Sequence, residues 1–262
     1  MIDQRVGIVG GAGWLGSAIA KSLVSSGTID PARLICSYRS KQPAEPTPWR
    51  WTSDSAELVA SSDIVVISVR PADWPALSLE AGDRLVISVM AGIPMAELAE
   101  RTGARRLARA LPNAAAEVGA SYTPVLMKSD RPDDAAIVRT LFEACGAVDM
   151  VSNEDHLDYL TTLSGSGPAF PALLAEAMIA GALERGISPE TARRAALQTL
   201  VGAGRLFEAL ATVPAEVVRT FVAYEGTTAA AIRRMSELGF ADAVRAGLDA
   251  AYLKAKTLSG RR

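Results

Sequence analysis

Residues 5–16 have the sequence Arg5-Val6-Gly7-Ile8-Val9-Gly10-Gly11-Ala12-Gly13-Trp14-Leu15-Gly16. The apolar run 6–9 predicts a strand, the glycines predict a tight turn, and residues 17–23 predict a helix. The Gly-x-Gly-x-x-Gly pattern of Gly11, Gly13 and Gly16 is typical of dinucleotide binding in that context. The free N–H groups at the start of the helix then face the phosphates. We therefore predict a dinucleotide site here, with an ordinary glycine-rich turn as the alternative.

The composition of the 262 residues argues against several other classes of protein. The 27 basic and 29 acidic residues nearly balance, so no basic surface favours nucleic acid. The two cysteines favour a reducing compartment over a disulfide scaffold. The single histidine, with no cluster of Cys and His residues, argues against a zinc site. No signal segment is predicted, and the apolar helix expected at residues 169–183 is too short to span a bilayer. We therefore expect a soluble, cytoplasmic protein with no metal, membrane or nucleic-acid partner.

The order of elements in residues 1–152 predicts the fold class. Further strands are expected at residues 33–37, 63–69, 84–89, 105–110, 122–127 and 148–151. Helices are expected at residues 56–60, 94–101 and 132–145, and residues 42–52, with three prolines, are expected to form a loop. Alternating strands and helices predict an α/β fold with a doubly wound (Rossmann-type), mainly parallel sheet. We assign residues 1–152 to a dinucleotide-binding domain.

Residues 153–262 contain no convincing strand. Helical patterns are expected at residues 170–185, 189–210, 215–222, 227–238 and 241–258, and Ser188 followed by Pro189 is typical of a helix start. These helices are rich in apolar residues and carry more apolar surface than one small bundle can cover. We therefore predict an all-helical domain for substrate binding and dimerisation, with a self-contained bundle as the alternative.

The end of the second predicted strand indicates which nicotinamide cofactor is used. It has the sequence Ser37-Tyr38-Arg39-Ser40-Lys41 and contains no carboxylate for ribose hydroxyls. Arg39 instead offers a fork of donors suited to a 2′-phosphate. We therefore favour NADPH over NADH, with Tyr38, Arg39 and Ser40 in the cofactor site. The alternative is a solvated turn with ordinary surface charges.

Several further motifs follow in a fixed order along the chain. They are Ser68-Val69-Arg70-Pro71, Ser88-Val89-Met90-Ala91-Gly92-Ile93-Pro94, Arg109-Ala110-Leu111-Pro112-Asn113, Leu163-Ser164-Gly165-Ser166-Gly167-Pro168-Ala169-Phe170, Gly226-Thr227-Thr228 and Leu238-Gly239-Phe240. With the glycine turn, they resemble the landmarks of the pyrroline-5-carboxylate reductase family over nearly the whole length. The fourth is nearly identical to that family's Leu-Ser-Gly-Ser-Gly-Pro-Ala-Tyr. The resemblance implies a homo-oligomer built from dimers.

The resemblance also implies an activity: transfer of a hydride from NADPH to the C=N bond of a cyclic imine, by default 1-pyrroline-5-carboxylate. On the cofactor side it adds contacts from residues outside the glycine turn, namely Ser55, Val69, Arg70, Pro71, Ala91, Gly92 and Asn113. On the substrate side it implies a carboxylate cradle at Gly226 and Thr227, with the catalytic Thr228 hydroxyl beside the ring nitrogen. The further substrate-side residues are Ser164, Gly165, Tyr224 and Glu225. A helix start suits an anion, although Thr227 could instead only cap that helix.

The chain departs from the family pattern on the substrate side. Where the family has Ser-Pro-Gly-Gly-Thr-Thr, this chain has Ala223-Tyr224-Glu225-Gly226-Thr227-Thr228, and Ala114-Ala115 replaces Thr-Pro after Asn113. The Glu225 carboxylate either faces solvent or enters the cradle and repels a carboxylate there. Three alternatives stay open. They are a reductase of another cyclic imine, a 6-phosphogluconate-like or prephenate-like dehydrogenase, and a catalytically silent NADP-binding sensor.

Overall fold

The computed structural model describes residues 1–211 and 213–258, without the side chain of Leu258. The chain divides into two compact units: Met1–Pro168 together with the residues from Ala251 on, and Ala169–Ala250. The division into functional domains at residues 152 and 153 stays a prediction.

The first unit is built on one eight-stranded sheet. Its strands are β1 (Val6–Val9), β2 (Leu34–Ser37), β3 (Arg50–Thr52), β4 (Ile64–Ile67), β5 (Leu85–Ser88), β6 (Arg106–Ala110), β7 (Ser121–Lys128) and β8 (Gly146–Val151). Their order is β3-β2-β1-β4-β5-β6-β7-β8. All neighbours are parallel except β6 and β7, which are antiparallel. The predicted Rossmann-type, mainly parallel sheet is confirmed.

The central strands are apolar because both faces of the sheet are covered. Every residue of β1, β2, β4 and β5 is buried, as expected for parallel strands between two helical layers. Successive side chains point to opposite faces. Ile8 therefore belongs to a core cluster with Ile19 and Phe142, whereas Val9 belongs to a second cluster with Trp74.

Five helices and three short 3-10 segments surround this sheet. The helices are α1 (Trp14–Ser25), α2 (Ser55–Ala60), α3 (Met95–Thr102), α4 (Asp134–Glu143) and α5 (Glu154–Leu160). The 3-10 segments are Pro31–Arg33, Pro71–Ala76 and Ala114–Val118. Helix starts follow the usual capping chemistry, since Asp54 accepts N–H bonds at the start of α2 and Asn153 does so at the start of α5.

The second unit is entirely helical in its described residues. It contains α6 (Ala169–Leu183), α7 (Pro189–Leu210), α8 (Pro214–Ala223), α9 (Thr227–Glu237) and the first part of α10 (Phe240–Leu258). The predicted cap at Ser188 is confirmed, because its side chain accepts the Thr191 N–H. The described buried residues here are all alanines, and many larger apolar side chains are exposed. This unit therefore presents apolar surface that the described chain leaves uncovered.

Two details of the sequence-based expectation are wrong. β3 lies inside the predicted loop 42–52, because an edge strand needs only backbone pairing with β2 and little apolar pattern of its own. The helix α6 has the expected bounds, Ala169–Leu183, but it belongs with α5 and the π-helical segment Thr161–Gly165 to a longer stretch, Glu154–Leu183. That stretch of 30 residues is long and apolar enough to cross a membrane by length and composition alone. The expectation that the apolar helix is too short to span a bilayer is therefore wrong.

Candidate active site

A cavity of about 680 Å³ lies where the strand order of the sheet reverses. It is bordered by the turns after β1 and β4, at the carboxyl ends of adjacent parallel strands, which is where ligands bind in open α/β sheets. Its lining residues are Gly10, Ala12, Gly13, Trp14, Leu15, Ser37, Tyr38, Arg39, Ser40, Lys41, Ser68, Val69, Arg70, Asp73 and Val89. The cavity brings together nine of the predicted cofactor residues.

The glycines of the turn have separate structural causes. Gly10 has φ of 78°, and a Cβ there would lie 2.5 Å from the Ser68 carbonyl oxygen. Gly16 packs so closely that a Cβ would lie 2.6 Å from the Gly10 carbonyl oxygen. Gly13 precedes α1 and no side chain caps this helix. The first-turn N–H groups of α1 therefore have no side-chain cap beside the cavity, an arrangement that fits a pyrophosphate.

The Ser37 side chain holds the glycine turn to β2. Its hydroxyl oxygen accepts the Gly10 N–H at 3.0 Å, and its carbonyl oxygen accepts the Ala12 N–H at 3.2 Å. Ser37 is buried, and together with Ser68 it adds polar groups that the sequence analysis did not assign to the site. Ser37 ends β2, and Ser68 follows β4 as the first residue of the motif Ser68-Val69-Arg70-Pro71.

Three of the residues that line the cavity are positively charged, and we call the part that they line its basic end. Arg39, Lys41 and Arg70 line it, and their charges fit the adenosine 2′-phosphate of NADPH. The Asp73 carboxylate lies between the two arginines and contacts Arg39 at 3.0 Å and Arg70 at 2.8 Å. The hydrogen bond from Arg70 is the main cause that lowers the pKa of Asp73 from its ordinary value. No sequence pattern indicates Asp73 as a site residue, since it follows β4 and lies 34 positions from Arg39.

The remaining predicted cofactor residues lie outside the lining of this cavity. Gly11 and Gly16 are buried beneath the turn, Ser55 is the first residue of α2, and Pro71 begins a 3-10 segment. Ala91 and Gly92 follow β5, and Asn113 follows β6. Their contacts with a cofactor stay predictions.

The motif around Ser164 has an unusual backbone. Thr161–Gly165 is π-helical, a conformation that is frequent at functional sites. The Asn113 side-chain amide donates to the Ser164 carbonyl oxygen at 2.9 Å. A Cβ at Gly167 would lie 2.9 Å from the Leu163 carbonyl oxygen, which accounts for a glycine there. One predicted cofactor residue and one predicted substrate residue are therefore directly bonded.

The other predicted substrate residues lie at the junction of α8 and α9 in the second unit. Gly226 is the N-cap of α9 and no side chain caps this helix, so the alternative that Thr227 serves only as its cap is wrong. The N–H groups of its first turn lack a side-chain acceptor. Glu225 follows α8 with φ of 52°, its carboxylate is 80% exposed, and it contacts Arg233 at 3.8 Å. The Tyr224 side chain is also exposed.

Other titratable groups in the described chain lie elsewhere. His156 is exposed at the start of α5, 3.3 Å from the Ser152 hydroxyl. Cys36 and Cys145 are free and buried, and burial raises the pKa of Cys145 to about 11. Among the described residues, no group of three His, Cys, Asp or Glu side chains is arranged to hold a metal ion.

The topology and the glycine-lined, basic cavity define a dinucleotide-dependent oxidoreductase. Two family models match: "NADP oxidoreductase coenzyme F420-dependent" over residues 5–92 and "Pyrroline-5-carboxylate reductase dimerisation" over residues 154–258. The chain is 31% identical to the pyrroline-5-carboxylate reductase of Synechocystis, covering 97% of this chain and 98% of that protein. It is also 31% identical to that of Arabidopsis thaliana, with 97% and 95% covered. The chain belongs to the pyrroline-5-carboxylate reductase family.

Solved structures agree with this assignment. The reductase of Coxiella burnetii matches with a TM-score of 0.89 and 26% identity, over 98% of this chain and 99% of that chain. The Plasmodium falciparum enzyme, solved with NADP bound, matches with a TM-score of 0.84 and 25% identity, over 99% of both chains. The chain is therefore an NADPH-dependent oxidoreductase acting on a C=N bond, with an oligomer-forming helical domain.

Proposed function

We propose that this enzyme reduces 1-pyrroline-5-carboxylate to L-proline with NADPH, as a cytoplasmic homodimer or an oligomer built from dimers. The observation that carries the proposal is the start of α9, where Gly226-Thr227-Thr228 presents first-turn N–H groups that no side chain caps. Such a helix start favours a carboxylate. The name of the family supplies the substrate, and the exposed apolar helices supply the expected dimer surface.

Each unit has its own task in this proposal. The glycine turn and the basic end of the cavity hold the cofactor, which supplies a hydride from C4 of its nicotinamide when bound. The N–H groups at Gly226 and Thr227 hold the substrate carboxylate. The Thr228 hydroxyl hydrogen-bonds the ring nitrogen and orients the imine. The chemistry needs position more than a strong nucleophile. Both cysteine thiols are buried, and neither lines the cavity.

The decisive experiment measures the loss of NADPH absorbance at 340 nm when 1-pyrroline-5-carboxylate is added. We expect at least a few turnovers per second, as is ordinary for metabolic enzymes. Thr228→Val should lower kcat about tenfold or more with an unchanged Kd for NADPH, because it removes one hydrogen bond. Thr228→Ser should retain most activity, and the matched control Thr220→Val, in exposed α8, should behave as wild type. NADPH binding with no turnover of this imine would contradict the proposal.

The presence of Glu225 favours a second candidate substrate, a cyclic imine without a carboxylate. This residue occupies the position after α8 where a glycine commonly adopts the left-handed conformation. A glutamate there places a negative charge beside the proposed carboxylate cradle. If the substrate is a cyclic imine without that carboxylate, Glu225→Gly should leave its kcat/KM unchanged. If it is 1-pyrroline-5-carboxylate, the same variant should raise kcat/KM, because a repulsion is removed.

A further inference from the structure

The Asp73 carboxylate occupies the basic end of the cofactor cavity and is shared by two arginines. Its Oδ1 accepts from Arg39 Nη1 at 3.0 Å and from Arg70 Nη2 at 3.2 Å, and its Oδ2 accepts from Arg70 Nε at 2.8 Å. All three residues line the cavity. Both guanidinium groups therefore already have an anionic partner before a cofactor phosphate arrives.

The segment that carries Asp73 is anchored to the first unit more extensively than the side chains of the two arginines. Asp73 lies in the 3-10 segment Pro71–Ala76, whose Trp74 is buried and donates its indole N–H to Glu97 at 2.7 Å. Arg101 packs on the Trp74 ring and donates to the carbonyl oxygens of Trp74, Pro75 and Leu77. By contrast, the side chains of Arg39 and Arg70 are 76% and 74% exposed. The backbone beside Asp73 is therefore anchored, whereas the exposed arginine side chains have room to turn.

We propose that Asp73 is a specificity-determining residue, which competes with the adenosine 2′-phosphate for Arg39 and so reduces the preference of this enzyme for NADPH over NADH. The cavity end carries three positive side chains, and Asp73 cancels one of these charges. Binding of NADPH breaks the ion pair between Arg39 and Asp73 and places the 2′-phosphate near the Asp73 carboxylate. NADH carries no such phosphate and incurs neither penalty. The inference concerns cofactor binding and does not depend on which imine is reduced.

The test measures cofactor affinity without turnover. Asp73→Asn keeps the shape of the side chain and removes its charge. A second variant, Asp73→Ser, controls for new hydrogen bonds made by the introduced asparagine amide. We would measure Kd for NADPH and NADH by quenching of tryptophan fluorescence. We would also measure Kd for adenosine 2′,5′-bisphosphate and for adenosine 5′-monophosphate by calorimetry. Exposed ion pairs are weak, so we expect the Kd for both 2′-phosphorylated ligands to fall about three- to tenfold.

Two controls and the salt dependence distinguish competition from other effects. Asp83→Asn removes a similarly paired carboxylate, 2.9 Å from Arg105 and outside the cavity lining, and should change no affinity. In an Arg39→Ala background, most of the gain from Asp73→Asn should vanish. The gain should also shrink from low to high ionic strength, because salt screens exposed charges. A weaker binding of NADPH in both Asp73 variants, or an equal change for NADPH and NADH, would overturn the proposal.

Discussion

Replacement of Arg109 by methionine is the sharpest test of how the first unit is held together. Arg109, in β6, is fully buried. Its guanidinium lies 3.2 Å from Glu154 and 3.7 Å from Asp158, both in α5. Glu154 also accepts the Met95 N–H at 2.6 Å, at the start of α3. One buried cation therefore joins β6 to the helix at which the dimerisation family match begins.

The expected loss of stability follows from burial. Methionine has nearly the same length but no charge, so Arg109→Met removes the guanidinium that lies beside Asp158, which is itself 3% exposed. Breaking a buried pair in this way costs about 3–5 kcal/mol. Ordinary domains have only about 5–15 kcal/mol of folding stability, so this loss is large. The matched control is Arg105→Met, which removes an exposed pair with Asp83 and should cost at most about 1 kcal/mol.

The assay is urea unfolding followed by circular dichroism, at one protomer concentration because the protein forms oligomers. The double variant Arg109→Met/Asp158→Asn should regain a large part of the loss, since no unpaired charge is then buried at that position. A cost for Arg109→Met no larger than that of Arg105→Met would refute this account. A double variant no more stable than Arg109→Met would refute it as well, because the buried carboxylate would then not be the cause.

Three further outcomes are expected. Arg39→Ala should raise KM for NADPH at least severalfold more than KM for NADH; equal increases would remove its phosphate role. Gly16→Ala should weaken NADPH binding and lower stability by about 1–3 kcal/mol, because the new Cβ meets the Gly10 carbonyl oxygen at 2.6 Å; wild-type affinity in a titration would contradict this. A hydrogen bond from Arg5 is the main cause that lowers the pKa of Asp63 to about 2, so its contribution is present above about pH 4 and is lost as pH falls towards 2. Asp63→Asn should therefore lower the free energy of unfolding by at most about 1 kcal/mol at pH 7, since the carboxylate is 43% exposed. The difference in unfolding free energy between wild type and variant should shrink below pH 4, and a difference that stays constant would contradict this expectation.

The central strands and the glycine turn were predictable because their causes are local. A run such as that of β4 is apolar on both faces, a pattern that is typical of a parallel strand covered by two helical layers. Turn glycines are needed where a Cβ would meet neighbouring backbone, as at Gly16. β3 was not predictable, because an edge strand of three residues is specified mainly by its pairing with β2. The antiparallel β6–β7 pair likewise leaves no mark in either strand.

The sequence by itself determined the fold class, the cofactor turn after β1, the use of NADPH and the family of this protein. Those features depend on residue types at short spacings and on motifs in a fixed order. Only the tertiary structure brought Asp73 between Arg39 and Arg70, and Arg109 against Glu154 and Asp158. These contacts join residues from separate strands and helices. A charged side chain in a sequence shows no sign of which distant partner the fold will place beside it.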